Sequence, residues 1–189
     1  MAAGETNLEI SGGAGNTLPP SGRILVTGAS RGIGRHIAVG LARPRRTLIL
    51  VARTLDALED VASECEDRGA KVCTIACQLE NHDRLTHMLD IVKADGGADM
   101  VVNCAGIFGE EKLPWETDPD LWWQTQLVNV RAPYLIQHAL VPGMLERGGG
   151  RACALALLAA ALRAPGRGAL RWPLATAPAR RGCRPGPHG

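Results

Sequence analysis

Three glycines follow a short apolar run near the start of this 189-residue chain, and they strongly limit what the chain can fold into. The run Ile24-Leu25-Val26 leads into Thr27-Gly28-Ala29-Ser30-Arg31-Gly32-Ile33-Gly34. An apolar strand, a glycine turn and then a helix form a site that suits a pyrophosphate. The start of the helix has free N–H groups, and the glycines, which have no Cβ atoms, let the backbone come close to the phosphates. The alternative is an ordinary glycine-rich turn. The predicted nucleotide contacts are Gly28, Ser30, Arg31, Gly32, Ile33 and Gly34.

Apolar strands and amphipathic helices alternate along residues 23–150. The patterns predict strands at 23–27, 47–52, 71–77 and 100–104, and helices at 32–42, 55–68, 82–94 and 118–145. The second strand is apolar throughout, as a parallel strand covered on both faces requires. The alternation predicts an α/β fold, a Rossmann-like doubly wound parallel sheet with strand order 3-2-1-4. The last helix contains Pro133 and Pro142, where we expect bends or breaks.

Two further segments repeat features of one known family. Asn103-Cys104-Ala105-Gly106 follows the fourth predicted strand, and Asn129 lies in Leu127-Val128-Asn129-Val130 within the last helix. Together with the Gly-x-x-x-Gly-x-Gly turn, these segments resemble the short-chain dehydrogenase/reductase family over residues 23 to about 150. The resemblance implies an oxidoreductase that moves a hydride between a nicotinamide and a carbonyl or alcohol carbon.

The resemblance also implies roles for individual residues. In the family, the segment equivalent to residues 103–106 stabilises the central sheet and lines the cofactor, which implies cofactor contacts for Asn103, Ala105 and Gly106. Cys104 stands where the family has a second asparagine, and this departure weakens the structural part of the comparison. Asn129 matches the asparagine that holds a proton-relay water, and it is the candidate catalytic residue. The alternative for Asn129 is a polar residue satisfied within its helix.

The residues after the second and third predicted strands favour NADP(H) over NAD(H). Enzymes of this fold that use NAD usually place an acid after the second strand to bind the ribose 2′-hydroxyl, whereas a 2′-phosphate needs a cation. Arg53 occupies that position here, and Arg31 offers a second guanidinium. The alternative is that both arginines are solvated surface charges. Gln78 stands where the family usually has an aspartate against the adenine, and it is a further candidate contact.

The catalytic serine, tyrosine and lysine of the family have no counterparts in this sequence. A tyrosine needs a nearby cation to lower its pKa from about 10 before it can transfer a proton near neutral pH. The single tyrosine, Tyr134, is followed four residues later by His138; no serine follows Ser63, and no lysine follows Lys112. We therefore expect Tyr134 to be a packing residue and these 189 residues to be inactive or nearly so.

Composition changes abruptly at the glycines of residues 148–150. All 19 acidic residues precede this point, whereas residues 151–189 contain seven arginines and consist almost entirely of Ala, Arg, Leu, Pro and Gly. We favour a shifted reading frame or an alternative splice product. If the codons are read two bases out of phase, the triplet that spans Ala175-Thr176 can encode Tyr, and the triplet that spans Ala179-Arg180, four codons later, can encode Lys. The alternatives are disorder and a basic tail that binds nucleic acid or an acidic surface, although aromatic residues are not interleaved there.

These observations divide the chain into a flexible leader at 1–22, a dinucleotide-binding domain at 23–150 and an irregular tail at 151–189. The fourth strand would be a bare apolar edge unless residues 151–158 or a second chain pair with it, so we expect marginal stability or association. The helix from Asp118 to Leu145, which packs against another subunit in the family, is the expected surface of a homo-oligomer. Three tryptophans either line a pocket mouth or pack in the core or an interface: Trp115, Trp122 and Trp123.

Several classes of protein are not indicated. No apolar run is long enough to span a bilayer, no basic flank precedes an apolar segment as in a signal peptide, and the six cysteines lack metal-ligand spacing. We expect a cytoplasmic protein whose partners are a nicotinamide dinucleotide and a small carbonyl or alcohol substrate, and not a metal, a membrane or nucleic acid. Two functions stay open: an NADP(H)-dependent oxidoreductase by descent, and a non-catalytic NADP(H)-binding or dimerising module.

Overall fold

Five parallel strands form one sheet. A computed structural model of the chain describes residues 22–110, 112–113 and 115–154. The strands are β1 (Gly22–Thr27), β2 (Arg46–Ala52), β3 (Lys71–Ala76), β4 (Met100–Asn103) and β5 (Arg151–Ala154), in the order β3-β2-β1-β4-β5. The predicted α/β fold and the order of its first four strands are confirmed. The leader up to residue 21 and the tail from residue 155 lie outside the described residues.

Helical crossovers connect the strands, as parallel pairing requires. They are α1 (Gly32–Leu41), α2 (Glu59–Asp67), α3 (His82–Ala94), α4 (Pro119–Gln126) and α5 (Ala132–Glu146), and a 3₁₀ turn at Asp56–Leu58 precedes α2. Within the described residues, none of these helices combines the length and the apolar character needed to cross a bilayer.

The helices cover the sheet on both faces. On one face, apolar residues of α3 and α5 pack against the sheet, among them Leu85, Met88, Ile136 and Leu140. On the other face, α1 and α2 contribute Ala38, Val39, Val61 and Cys65. The chain leaves β1 toward β2 on one side and later returns to β4 on the other side. A crevice therefore forms at the carboxyl ends of β1 and β4, where ligands bind in sheets of this kind.

β4 is not an edge strand, because β5 pairs with it in parallel from Met100↔Arg151 to Asn103↔Ala154. The backbone N–H of Arg151 also donates to the carbonyl of Asp99 at 3.0 Å. The expectation of an irregular tail is therefore wrong for residues 151–154. Their sequence, Arg-Ala-Cys-Ala, has little strand propensity. Backbone pairing with β4 and the Arg151–Asp99 hydrogen bond place this strand in the sheet.

Residues 119–146 form one helical stretch with a π-helical turn, Leu127–Arg131, between α4 and α5. In this turn the N–H of Ala132 donates to the carbonyl of Leu127, five residues earlier. Of the expected bends or breaks, a break at Pro142 is wrong, because α5 continues through it. Pro133 lies in the first turn of α5, where proline is tolerated. The irregularity lies just before Pro133 instead.

Asp99 joins three elements at the amino-terminal end of the sheet. Its carboxylate accepts from the N–H of Arg23 in β1 at 2.9 Å and from Nε of Arg147, after α5, at 3.2 Å. Its own N–H donates to the Arg23 carbonyl at 2.8 Å. These contacts lie at the end of the sheet opposite the crevice. They join β1, β4 and α5 and take no part in the crevice itself.

Candidate functional site

The turn between β1 and α1 has a backbone conformation that depends on glycine. Gly28 and Gly32 have φ values of +65° and +56°, in the left-handed region that other residues seldom adopt. A Cβ on Gly28 would lie 2.7 Å from the Cα of Ala105, and a Cβ on Gly34 would collide with the carbonyl oxygen of Gly28. The glycines therefore bring the amino-terminal end of α1 against the backbone that follows β4.

The segment after β4 is fixed to β1 by a side-chain hydrogen bond. Oγ1 of Thr27 accepts from the N–H of Ala105 at 3.2 Å. Asn103, which pairs with Thr27 in the sheet, is 1% exposed, and neither polar atom of its amide has a hydrogen-bond partner among the described residues. A buried polar group without a partner costs about 1–3 kcal/mol, so the Asn103 amide requires a polar partner from outside these residues.

A cleft of about 410 Å³ opens at the carboxyl ends of β1, β2 and β3. Two backbone hydrogen bonds hold the loops around it together: Ala29 N–H donates to the Val51 carbonyl at 3.2 Å, and Cys77 N–H donates to the Ala52 carbonyl at 2.8 Å. The cleft brings together four residues that were predicted from separate parts of the sequence, with two others. The lining residues are Ser30, Arg31, Arg53, Thr54, Ala57 and Gln78.

The cleft has a positive charge that no lining acid balances. Its two arginines stand beside neutral hydroxyl, amide and methyl groups. Neither Arg31 nor Arg53 forms an ion pair with another described residue, whereas Arg35, further along α1, pairs with Glu64 at 2.6 Å. Two guanidinium groups without acidic partners, beside hydroxyl and amide groups, form a site suited to an anion such as a phosphate.

Asn129 is held against the segment after β4 by its side chain. Its Oδ1 accepts from the Ile107 N–H at 3.0 Å, and its Nδ2 donates to the Ile107 carbonyl at 2.8 Å. Asn129 lies in the π-helical turn, and its carbonyl would receive an α-helical hydrogen bond from residue 133. Residue 133 is proline and has no N–H. The backbone carbonyl of Asn129 is thus without its ordinary helical donor at this point.

The thiols near the site are kept protonated by burial. Burial raises the pKa of Cys77 from 9.0 to about 11, and burial also raises the pKa of Cys104. Since the thiolate is the nucleophilic and metal-binding form, these two cysteines act as small packing residues near neutral pH.

Several aromatic residues lie on the surface. Tyr134 is 62% exposed, and its ring stacks on His138 with a centroid distance of 5.9 Å. The expectation that Tyr134 is a packing residue is wrong, because the buried face of α5 is formed by Ala132, Pro133, Ile136, Leu140 and Met144. All three tryptophans of the described residues are more than half exposed, which excludes core packing for Trp115, Trp122 and Trp123.

The predicted site residues fall into two groups, and the close approach of Gly28 to Ala105 joins them. One group surrounds the cleft, and the other comprises Asn103, Ala105, Gly106 and Asn129 at the end of β4. A Cβ on Gly106 would lie 3.4 Å from Oδ1 of Asn129, which places these two residues in contact. The side chain of Ile33 is 56% exposed on α1. Sequence reasoning missed two lining residues, Thr54 and Ala57, although Thr54 directly follows Arg53.

Curated relatives are similar over most of the described chain. A short chain dehydrogenase of Pseudocercospora fijiensis is 33% identical over 143 residues, which cover 75% of this chain and 46% of that protein. Gluconate 5-dehydrogenase of Gluconobacter oxydans is 32% identical over 145 residues, which cover 76% of this chain and 56% of that protein. This chain therefore spans about half the length of the curated relatives it matches.

Solved structures and the family model also match short-chain dehydrogenases and reductases. L-sorbose reductase from Gluconobacter frateurii, complexed with NADPH and L-sorbose, superposes with a TM-score of 0.66 at 31% identity, over 71% of this chain and 51% of that chain. A metagenomic short-chain oxidoreductase in complex with NADP has a TM-score of 0.66 at 32% identity, over 70% of this chain and 60% of that chain. The family match covers residues 23–168 and so extends past residue 150, where the sequence motifs end. The chain belongs to the short chain dehydrogenase family, a family of oxidoreductases.

Proposed function

We propose that this chain binds NADP(H), with the adenine ribose phosphate in the cleft and the pyrophosphate at the amino-terminal end of α1. The proposal rests chiefly on the cleft, where Arg31 and Arg53 stand without ion-pair partners among the described residues. NADP differs from NAD by a phosphate on the 2′ oxygen, and two guanidinium groups compensate its charge. The relatives crystallised with NADPH and NADP support the same assignment.

The residues around the cleft fit the adenosine end of this cofactor. Arg31 and Arg53 bind the 2′-phosphate, and the hydroxyl of Ser30 donates to a phosphate oxygen. The amide of Gln78 can both accept from and donate to the edge of an adenine, in place of the family's aspartate. The backbone of Gly28, Gly32, Ile33 and Gly34 approaches the pyrophosphate, which the α1 dipole also favours.

The second group of residues fits the nicotinamide end. The resemblance assigns Asn103 to the cofactor-lining segment after β4, and its buried amide has no partner among the described residues. Ala105 and Gly106 leave space for the cofactor because their side chains are small. When bound, the nicotinamide supplies hydride transfer to or from a carbonyl or alcohol carbon.

Asn129 has a positioning role in this proposal. Both polar atoms of its side chain are occupied by Ile107, so the backbone carbonyl is the group that fits the proton-relay water of the family. The catalytic serine and the Tyr-x-x-x-Lys pair are missing from these 189 residues. We therefore infer an oxidoreductase by descent, and expect these residues by themselves to bind NADP(H) with little or no turnover.

The second candidate function is a non-catalytic NADP(H)-binding or dimerising module. The stretch from α4 to α5 exposes many large apolar residues, namely Leu121, Trp122, Trp123, Val130, Tyr134 and Leu145. A patch of this kind marks an interaction surface, and we propose that it joins two copies of the chain. Turnover of a carbonyl substrate by the purified chain would exclude the non-catalytic candidate, and a monomer at high concentration would exclude the dimer.

Thermal unfolding of the purified chain with NADPH, and with NADH for comparison, tests the cofactor. A ligand that binds only the folded state adds about 2.7 kcal/mol of stability at about 100 times its Kd. We expect NADPH to raise the unfolding temperature more than NADH, and Arg53→Glu to abolish the difference. Arg43→Glu, an exposed arginine outside the cleft, is the matched control. Equal shifts would contradict the choice of NADP(H), and no shift with either would contradict nucleotide binding.

The origin of residues 151–189 is a separate proposal. We infer that they arise from a shifted reading frame or alternative splicing, because their composition departs from that of residues 1–150. Reading the coding DNA in the other frame tests this directly. The proposal requires a serine and a Tyr-x-x-x-Lys pair in that frame, and a frame without them would contradict it.

A further inference from the structure

No residue that lines the cleft requires a free hydroxyl on the ribose. An acid after β2 would bind the 2′-hydroxyl and repel a phosphate on either the 2′ or the 3′ oxygen. Arg53 occupies this position, and the other lining residues are neutral or cationic. The cleft therefore favours negative charge at the edge of the ribose, and none of the described residues that line it selects which of the two oxygens is phosphorylated.

The two cations of the cleft, Arg31 and Arg53, are exposed and have no ion-pair partner among the described residues. The 2′ and 3′ oxygens are on adjacent ribose carbons, so a phosphate on either oxygen lies within reach of two long side chains. A site whose charged groups are fixed by other contacts distinguishes such isomers by geometry, whereas long exposed arginines can reach a phosphate on either oxygen.

The rest of the site recognises groups that several nucleotides share. The amino-terminal end of α1 suits a 5′-pyrophosphate, and Gln78 suits an adenine edge. A 3′-phosphorylated adenosine 5′-diphosphate, the nucleotide end of coenzyme A, has the same adenine, ribose phosphate and pyrophosphate as NADP. A cleft of about 410 Å³ is large enough for the adenosine monophosphate portion of either molecule.

We propose that this cleft binds ribose-phosphorylated adenine nucleotides as a class, and that coenzyme A competes with NADP(H) for it. This inference rests on the proposed function, since it uses the same cleft and the same helix end. It implies that coenzyme A lowers the occupancy of the chain by NADP(H).

Displacement of NADPH from the full chain, followed by NADPH fluorescence, tests the inference. The competitors are adenosine 2′,5′-bisphosphate, adenosine 3′,5′-bisphosphate and AMP, which differ only in the second phosphate. We expect both bisphosphates to bind about tenfold or more tightly than AMP, because a phosphate–guanidinium pair is a charge-assisted interaction. Coenzyme A and dephospho-coenzyme A form a second matched pair, in which only coenzyme A should displace NADPH effectively.

Two variants connect the result to the cleft. Arg53→Glu should weaken both bisphosphates about tenfold or more, whereas Arg43→Glu should change neither. If the 3′ isomer binds no better than AMP while the 2′ isomer binds tightly, the inference fails and the proposed function stands. If neither isomer binds better than AMP and NADPH does not bind, the proposed function fails as well.

Discussion

The side chain of Asn129 hydrogen-bonds both backbone groups of Ile107, at 3.0 Å to the N–H and 2.8 Å to the carbonyl. One amide thus joins the π-helical turn, Leu127–Arg131, to the segment that follows β4. Both polar atoms of the side chain are used in this contact. Asn129 therefore fixes the geometry of two elements of the site, in addition to any role of its backbone.

Replacing Asn129 should destabilise the fold measurably. Asn129→Ala removes two hydrogen bonds and leaves both backbone groups of Ile107 without that partner, so we expect a loss of about 1–3 kcal/mol in the free energy of unfolding. Asn129→Asp keeps the acceptor and loses the donor. Urea unfolding measures both variants, with the exposed Gln124→Ala as the control. A change for Asn129→Ala no larger than for Gln124→Ala would contradict the structural role.

Two glycine-to-alanine substitutions should have opposite effects. Gly28→Ala places a Cβ 2.7 Å from the backbone of Ala105 in a left-handed conformation, so we expect a loss of about 3 kcal/mol or more. A Cβ on Gly40, in α1, meets nothing within 4 Å. Gly40→Ala should therefore stabilise the fold by about 0.5–1 kcal/mol. Denaturant unfolding compares them, and equal effects would show that the tight packing of the turn is unimportant.

Arg45 has a backbone conformation that glycine would adopt at lower cost. Its φ is +70°, and Arg46 N–H donates to the Arg43 carbonyl at 3.2 Å, which closes a turn with Pro44 and Arg45 at its centre. Glycine is the preferred residue at the third position of such a turn. We expect Arg45→Gly to stabilise the fold by about 1 kcal/mol. Arg43→Gly, at the first position, should stabilise nothing, and thermal unfolding distinguishes the two.

The buried thiol of Cys77 should make stability depend on pH in the alkaline range. Its pKa is about 11 in the folded chain, against 9.0 for an ordinary thiol. As pH rises above about 9, the unfolded chain releases this proton first, so the free energy of unfolding falls until about pH 11. Cys77→Ala removes this component. The stability difference between parent and variant should shift in favour of the variant between these pH values, and a constant difference would contradict the burial argument.

The central strands are predictable because their side chains are almost continuously apolar, whereas β5 is not. β1 and β2 lie inside the sheet, where helices cover both faces. A continuous apolar run such as Leu48-Ile49-Leu50-Val51 is therefore typical of a strand that is buried on both sides. The glycine turn was predictable for a related reason, because its φ values exclude most other residues. At these positions the residue types in the sequence are the ones that burial and backbone conformation require.

Other features depend on contacts that no local pattern encodes. The π-helical turn contains Asn129, whose side chain bonds Ile107 in a distant segment, and helical periodicity does not distinguish such a turn from an α-helix. Tyr134 was assigned to packing, but the buried face of α5 passes through its neighbours instead. Thr54 enters the cleft through the path of the loop after β2, which the sequence does not specify.

The hydrogen bond from Arg151 to Asp99, together with the pairing of β4 and β5, has a consequence for how the sheet could meet a second chain. The backbone of β5 pairs with that of β4 along all four residues, from Met100↔Arg151 to Asn103↔Ala154. The carboxylate of Asp99 also joins β1 to Arg147, which directly follows α5. β5 therefore occupies the backbone groups of β4 that a bare edge would offer to a second chain, and within the described residues any pairing with another chain on this side of the sheet would have to use the outer side of β5.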